Sequence, residues 1–300
     1  MLITAEGTQT IGLGVAKVAV VGAGTMGHGI AHVAAQGGYT VALTDAHPGA
    51  AEAAMQRIRQ NLDGGVKRGK LTPEAAREVA DRIQLVPTVE DAARGAYLVV
   101  EAIVERLDAK QELFRRLDAV VTPDTLLASN TSSLSIARIA QSSAHPERVL
   151  GMHFFNPVHL MKLVEVVEHA GTAPRVTAAA VAVARAMGKE PIVVRDSPGF
   201  ASSRLGVVLG LEAMRMVEQG VATAEDIDKA MELGYGHPMG PLRVSDLVGL
   251  DVRLAIAEYL YQELKGKHYK PPAILRGKVK AGELGKKTGK GFYQWPSNPS

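Results

Sequence analysis

The run Lys17–Val18–Ala19–Val20–Val21 ends in Gly22–Ala23–Gly24–Thr25–Met26–Gly27, and the small residues of a closely packed helix follow from His28 to Gln36. A β-branched strand, a glycine turn and a helix in that order leave few folds open, because the turn must satisfy strand, helix and ligand together. Gly22 makes the tight turn and Gly24 lets a pyrophosphate approach the backbone. Gly27 lets the helix pack on the strand, and Met26 stands with these three at a helix N-terminus that faces phosphates. The next apolar run, Thr40–Thr44, ends in Asp45, 18 residues past Gly27. There a carboxylate accepts the adenosine ribose hydroxyls and repels a 2′-phosphate, so NAD is expected over NADP. The plain alternative is a glycine turn followed by an incidental aspartate.

At 300 residues the chain suits two domains, and 46% hydrophobic with 22% charged residues is ordinary for a globular protein. Without cysteine there is no disulfide frame, no Cys-based metal site and no thiol nucleophile. No apolar run reaches the ~18 residues of a membrane span. Residues 1–16 carry no Lys or Arg and read as a leader, not as a signal or transit peptide, so a cytoplasmic protein is expected. The net charge of +3 conceals a basic stretch, Lys265–Lys290, with nine Lys/Arg and one acid, Glu283, which leaves −5 for the remainder. It lacks the aromatic interleaving or recognition motif of a nucleic-acid binder and reads mainly as a solvated surface.

From Lys17 to about Arg195 strands and helices alternate, as in a doubly wound parallel α/β sheet. Pro48–Leu62 reads as a helix, and Thr72 with Pro73 opens another. Between them Lys67, Arg68 and Lys70 form an exposed tip, a solvated turn or an anion site. Leu113, Phe114 and Leu117 share the core face of a helix from Leu107. Asp196–Ser197–Pro198–Gly199 marks a boundary: residues 1–197 form the dinucleotide-binding domain and 198–300 a smaller all-α domain. In the latter, Phe200–Glu218 and Val244–Leu264 read as long helices, with Gly234–Pro241 as a loop. Such a small helical domain is expected to complete its core against a second copy, giving a homodimer.

Polar residues gather at strand ends, where open α/β sheets bind ligands. A dinucleotide site implies hydride transfer, and oxidation of an alcohol needs a base, for which His153 is the best candidate. Glu165 comes twelve residues later. If the strands flanking Phe154–Leu160 are neighbours, its carboxylate reaches the imidazole, holds one tautomer and favours the charged ring. Ser132 ends another strand and is placed to hydrogen-bond a substrate oxygen. A purely structural histidine is the alternative reading of His153. The other histidines show no metal-site spacing, and H-E-x-x-H is absent, so no metal is expected.

The phrases V-E-A-I-V-E (100–105), A-S-N-T-S-S-L (128–134), H-F-F-N-P (153–157), M-K-L-V-E-V-V (161–167), D-S-P-G-F (196–200) and G-K-K-T-G-K-G-F-Y (285–293) resemble the L-3-hydroxyacyl-CoA dehydrogenase family. The resemblance runs from about residue 17 to 293 in the family's order. It implies a Rossmann-type domain followed by a helical dimerisation domain, and NAD-linked oxidation of a 3-hydroxyacyl-CoA to the 3-oxoacyl-CoA. By matching motif, His153 is the general acid/base, Glu165 its partner, Ser132 a contact to the substrate oxygen and Asn156 a helper. Glu105, Lys110 and Lys287 fall where the family lines the cofactor. Lys67 and Arg68, with Asn61 on the same helix, match the region that meets the CoA moiety, where cations suit phosphate. Many members carry P-G-F-x-x-N-R, whose Asn approaches the substrate; Ser203 stands there instead. A shorter donor arm reshapes the acyl pocket, and a short acyl chain is expected.

Three rivals remain at this level. One is a related dehydrogenase of a hydroxy acid or sugar acid without CoA. Another is the 3-hydroxyisobutyrate and 6-phosphogluconate dehydrogenase group, against which the H-F-F-N-P phrase argues. The last is a non-catalytic NAD-binding sensor, which has no need of His153 or Glu165.

Overall fold

The computed structural model describes residues 16–296, so almost all of the leader segment 1–16 lies outside the described residues. The chain divides into two compact units, 1–196 and 197–300.

The first unit opens with β1 (Lys17–Val21), α1 (Gly27–Gln36), β2 (Thr40–Thr44), α2 (Ala50–Lys67), α3 (Pro73–Asp81) and β3 (Ile83–Leu85). It continues through α4 (Val89–Ala93), β4 (Leu98–Glu101), α5 (Leu107–Asp118), β5 (Leu126–Ser129) and α6 (Ile136–Ala140). Then come β6 (Val149–Phe154), β7 (Leu163–Glu168), α7 (Pro174–Ala186) and β8 (Glu190–Arg195). The sheet order is β3-β2-β1-β4-β5-β6-β7-β8. Successive residues of the central strands point to opposite faces, and both faces are covered. Val18 and Val20 pack with Ile30, Ile58 and Val183 from α1, α2 and α7, while Ala19, Val99 and Leu127 are equally buried on the other side.

The sheet is parallel, as expected, except at one seam. β6 and β7 pair antiparallel, and β8 then runs parallel to β7. Residues 155–162 alone join β6 to β7, too few for the crossover that a parallel pair requires. Helix α2 also runs on past Leu62 to Lys67 before Gly69, at φ 65°, turns the chain. Its tip is exposed as expected, and the Thr72 hydroxyl caps α3 by accepting from Ala75 N–H at 3.2 Å.

The second unit contains α8 (Ser202–Glu218), α9 (Ala224–Tyr235), α10 (Pro241–Val248), α11 (Leu250–Leu264) and α12 (Ala273–Lys280) around Val207, Leu211, Met214, Leu242, Leu250, Leu260 and Leu275. The expected continuous helix Val244–Leu264 is instead broken at Gly249, whose φ of 102° no helix accommodates. Pro241 opens α10 rather than closing a loop. Asp228 accepts the N–H groups of Leu242 and Arg243, each at 2.9 Å, and so caps that helix. Asp246 gathers the closing segment. Its carboxylate accepts from Phe292 N, Tyr293 N and Trp295 Nε1, each at 2.9 Å. A Cβ at Gly291 would stand 2.2 Å from Asp246 Oδ1. Much of the G-K-K-T-G-K-G-F-Y phrase therefore closes the tail over a buried carboxylate. Among the described residues no helix is long and apolar enough to cross a membrane.

Candidate functional site

The carboxyl ends of β1, β4, β5 and β6 lie along one edge of the first unit. At the end of β1, Gly22 has φ 102°, and a Cβ there would meet Ala102 O at 2.5 Å. A Cβ on Gly27 would meet Gly22 O at 1.7 Å, so α1 can start this close to the turn only as glycine. Gly24 is different: a Cβ there meets nothing within 4 Å. Close packing at two glycines and open space at the third suit a pyrophosphate approaching the backbone. Met26 stands at the N-cap of α1.

Asp45, just past β2, holds the turn from the other side. Its Oδ2 accepts from Ala23 N–H at 2.6 Å and its Oδ1 from His47 N–H at 2.8 Å. Burial works to raise this carboxyl, but the bonds from Ala23 and His47 outweigh it and leave the group below its ordinary value. Arg57 on α2 fixes the turn further by donating to Ala23 O at 3.0 Å. A cavity of about 530 Å³ opens here, lined among others by Gly24, Asp45, Val89, Ile103 and Leu113. Mostly apolar walls, the Asp45 carboxylate and an unobstructed glycine fit the adenosine half of NAD.

Behind this edge Glu105 and Lys110, read above as cofactor-lining, join an ion-pair chain with Glu101, a residue that sequence reasoning missed. Glu101, fully buried at the end of β4, accepts from Lys110 Nζ at 2.6 Å, Ser129 Oγ at 2.6 Å and Ile103 N–H at 2.8 Å. Burial pushes the Glu101 carboxyl up against the pull of Lys110. Lys110 also lies 3.3 Å from Glu105 Oε2, while Glu105 Oε1 accepts from Thr131 Oγ1 at 2.6 Å and Ser132 N–H at 2.9 Å. Lys110 is thus enclosed, and Glu105 is the exposed end of the chain, holding the Ser132 loop. The A-S-N-T-S-S-L phrase carried the signal, since Asn130 has a structural task too. Its Oδ1 accepts from Phe154 N–H at 2.9 Å, tying the end of β5 to the residue after His153.

His153 and Glu165 are register partners across β6 and β7, and both side chains are buried. Nδ1 lies 2.8 Å from Glu165 Oε2. The Phe155 ring packs on the imidazole with centroids 4.5 Å apart. Asn156 is exposed and joined to Pro157 by a cis peptide bond. On α2, Asn61 is half-buried and Lys67 and Arg68 are exposed. In the second unit Ser203 lies in the first turn of α8, and Lys287 Nζ donates to Asp251 at 2.6 Å. Among the described residues no group of three or more His, Cys, Asp or Glu could hold a metal ion.

A sheet with this strand order, and room for the adenosine half of a dinucleotide at its carboxyl edge, defines a Rossmann-type nucleotide-binding protein. Residues 17–197 match the NAD binding domain of 3-hydroxyacyl-CoA dehydrogenase, and residues 199–295 match that enzyme's C-terminal domain. A probable 3-hydroxybutyryl-CoA dehydrogenase of Bacillus subtilis is 45% identical over 256 residues, covering 85% of this chain and 89% of the relative. Crystal structures of two proteins superimpose closely. FadB2 of Mycobacterium tuberculosis gives a TM-score of 0.89 at 44% identity, covering 93% of this chain and 98% of the other. An (S)-3-hydroxybutyryl-CoA dehydrogenase from Ralstonia eutropha gives 0.90 at 38% identity, covering 94% and 99%. The chain belongs to the 3-hydroxyacyl-CoA dehydrogenase family, and is an NAD-dependent oxidoreductase.

Proposed function

We propose that the protein interconverts an (S)-3-hydroxyacyl-CoA of short acyl chain and its 3-oxoacyl-CoA, with His153 and Glu165 as the acid/base pair. The observation that carries this reading is the 2.8 Å contact between His153 Nδ1 and Glu165 Oε2. With Glu165 accepting from Nδ1–H, Nε2 keeps its lone pair and takes the proton of the substrate hydroxyl. The buried carboxylate then steadies the imidazolium, as a negative charge beside a developing positive one. NAD, when bound, supplies the hydride acceptor. Ser132, held through its backbone by Glu105, offers its hydroxyl to the substrate oxygen, and Asn156 assists in the same pocket. Lys67 and Arg68, with Asn61 behind them, receive the CoA phosphates, while Lys287 lies in a motif read as cofactor-lining.

The second unit supports a homodimer in this reading. Leu205, Leu233 and Tyr235 are 71%, 86% and 79% exposed, more apolar surface than a solitary helical domain ordinarily leaves in water.

Steady-state reduction of acetoacetyl-CoA and of a ten-carbon 3-oxoacyl-CoA, each with NADH and NADPH, tests the proposal. The expected result is preferred turnover of the short thioester with NADH. Lys67→Glu with Arg68→Glu should raise KM for the thioester about tenfold or more, as expected for lost charge-assisted contacts. An unchanged KM would favour a substrate without CoA.

A further inference from the structure

Residues 155–162 follow directly on the strand of His153 and lead into the strand of Glu165. The antiparallel ladder between those strands ends at Phe154 and Val164, so carbonyls of the turn must find donors elsewhere. Two of them, Val158 O and Met161 O, accept from the ammonium of Lys189, the second at 2.9 Å. Lys189 stands just ahead of β8 and is 6% exposed. Burial lowers its pKa, with no carboxylate opposing the shift. Lysine is almost never enclosed without a counter-charge, because its ammonium is costly to strip of water. Its three donors, however, serve carbonyls arriving from different directions, which a planar guanidinium does less well.

The same turn is pinned at other points. Val158 is buried against α1, where a Cβ on Gly29 would stand 2.7 Å from the Val158 Cβ. The His159 ring stacks on His32, and the N–H of Glu190 donates to Lys162 O at 2.8 Å. All of these anchors hold residues 158–162. Asn156 comes before them and is exposed, and Phe155 rests its ring on the His153 imidazole. The place of Asn156 therefore depends on where the anchored half of the turn is held. Among the anchors named, Lys189 grips its backbone at two residues.

We propose that Lys189 is a positioning residue for the reaction, fixing the β6–β7 turn so that Asn156 keeps its place in the substrate pocket. This rests on the reading of His153 as the acid/base and of Asn156 as its helper. The ammonium acts on the backbone of the turn and not on the reacting atoms, so its loss is felt through Asn156. A shift of about 1 Å in such a group is enough to cost on the order of 10²-fold in rate.

The test is a double-mutant cycle on kcat for acetoacetyl-CoA reduction by NADH, using full-length Lys189→Met, Asn156→Ala and the pair. Lys189→Met should lower kcat about 10- to 100-fold, with NADH affinity within about twofold of wild type. In the Asn156→Ala background the same substitution should cost less than about threefold, because the turn no longer has that side chain to place. Lys189→Arg keeps charge and donors in another geometry and should fall between wild type and Lys189→Met. A purely structural lysine would lower the melting temperature and leave kcat of the folded protein unchanged, which overturns the proposal. Equal costs in both backgrounds overturn it too, as does a loss that follows NADH affinity. Should Lys189→Met fail to fold, Lys189→Arg carries the same cycle, and additivity there is the contradicting result. Wild type that turns over no 3-oxoacyl-CoA would remove the dehydrogenase reading, whereas turnover with additive costs removes only the role of Lys189.

Discussion

Glu165 sits directly opposite His153 on the antiparallel β6–β7 pair, so two backbones in fixed register, rather than two mobile side chains, hold the 2.8 Å contact. The imidazole is presented at the carboxyl edge of the sheet that also carries Gly24 and Glu105. Most of what the site needs is thereby arranged before any ligand arrives.

The glycine turn makes a prediction with opposite outcomes at neighbouring positions. Gly24→Ala adds a methyl that touches nothing in the protein, so its thermal stability should match wild type. Its affinity for NADH should fall about tenfold or more, since the methyl occupies the approach to the backbone. Gly27→Ala forces a methyl to 1.7 Å from Gly22 O and should cost about 3 kcal/mol in urea unfolding. Equal effects on stability would contradict the distinction.

Asp45 should set the choice of dinucleotide. Its carboxyl lies below the ordinary value, so it is ionised at neutral pH and repels a 2′-phosphate. Asp45→Ser, measured by kcat/KM with NADH and NADPH, should narrow the preference for NADH by about 10- to 100-fold, the range of one charge contact. A preference that survives unchanged would place discrimination elsewhere.

Acid sensitivity should trace to His32 on α1. Both its ring nitrogens lack partners, and it stacks on His159 with centroids 5.7 Å apart. Burial first, then His159, His28 and Lys189, lower its pKa to about 4. Against an unfolded value of about 6.5, the native state binds fewer protons between those two pH values. The stability of the neutral ring is therefore complete above about pH 6.5 and is lost as pH falls toward 4, by about 3 kcal/mol. Urea unfolding at pH 7 and 4.5 should show His32→Leu losing much less stability on acidification than wild type. Equal losses would exonerate His32.

The tail depends on one carboxylate. Asp246→Ala strands the N–H groups of Phe292, Tyr293 and Trp295 Nε1, at a cost of about 3 kcal/mol or more. Limited proteolysis should then cut the segment after Gly285 far faster than in wild type. An unchanged cleavage rate would show that other contacts hold it.

What could be read from the chain followed short-range spacing. The glycine turn and Asp45 belong to one βαβ unit, and Thr72 with Pro73 announced a helix start, so local chemistry sufficed. The His153–Glu165 contact was legible only on the condition that their strands pair. The eight residues from 155 to 162 already contained the answer to their direction, because no crossover helix fits into that length. Gly249 was hidden by apolar residues that keep helical spacing on both sides of it. The Glu101–Lys110 pair was invisible for a different reason. Burial of an ion is decided by which distant elements close over it, and no local pattern records that.

The most direct test of the account is single-turnover reduction of acetoacetyl-CoA by His153→Asn and Glu165→Gln, with NADH binding followed by fluorescence. The account predicts that His153→Asn slows turnover by about 10²- to 10⁴-fold and Glu165→Gln by a smaller factor, while both bind NADH within about twofold of wild type. Wild-type turnover in His153→Asn would contradict it.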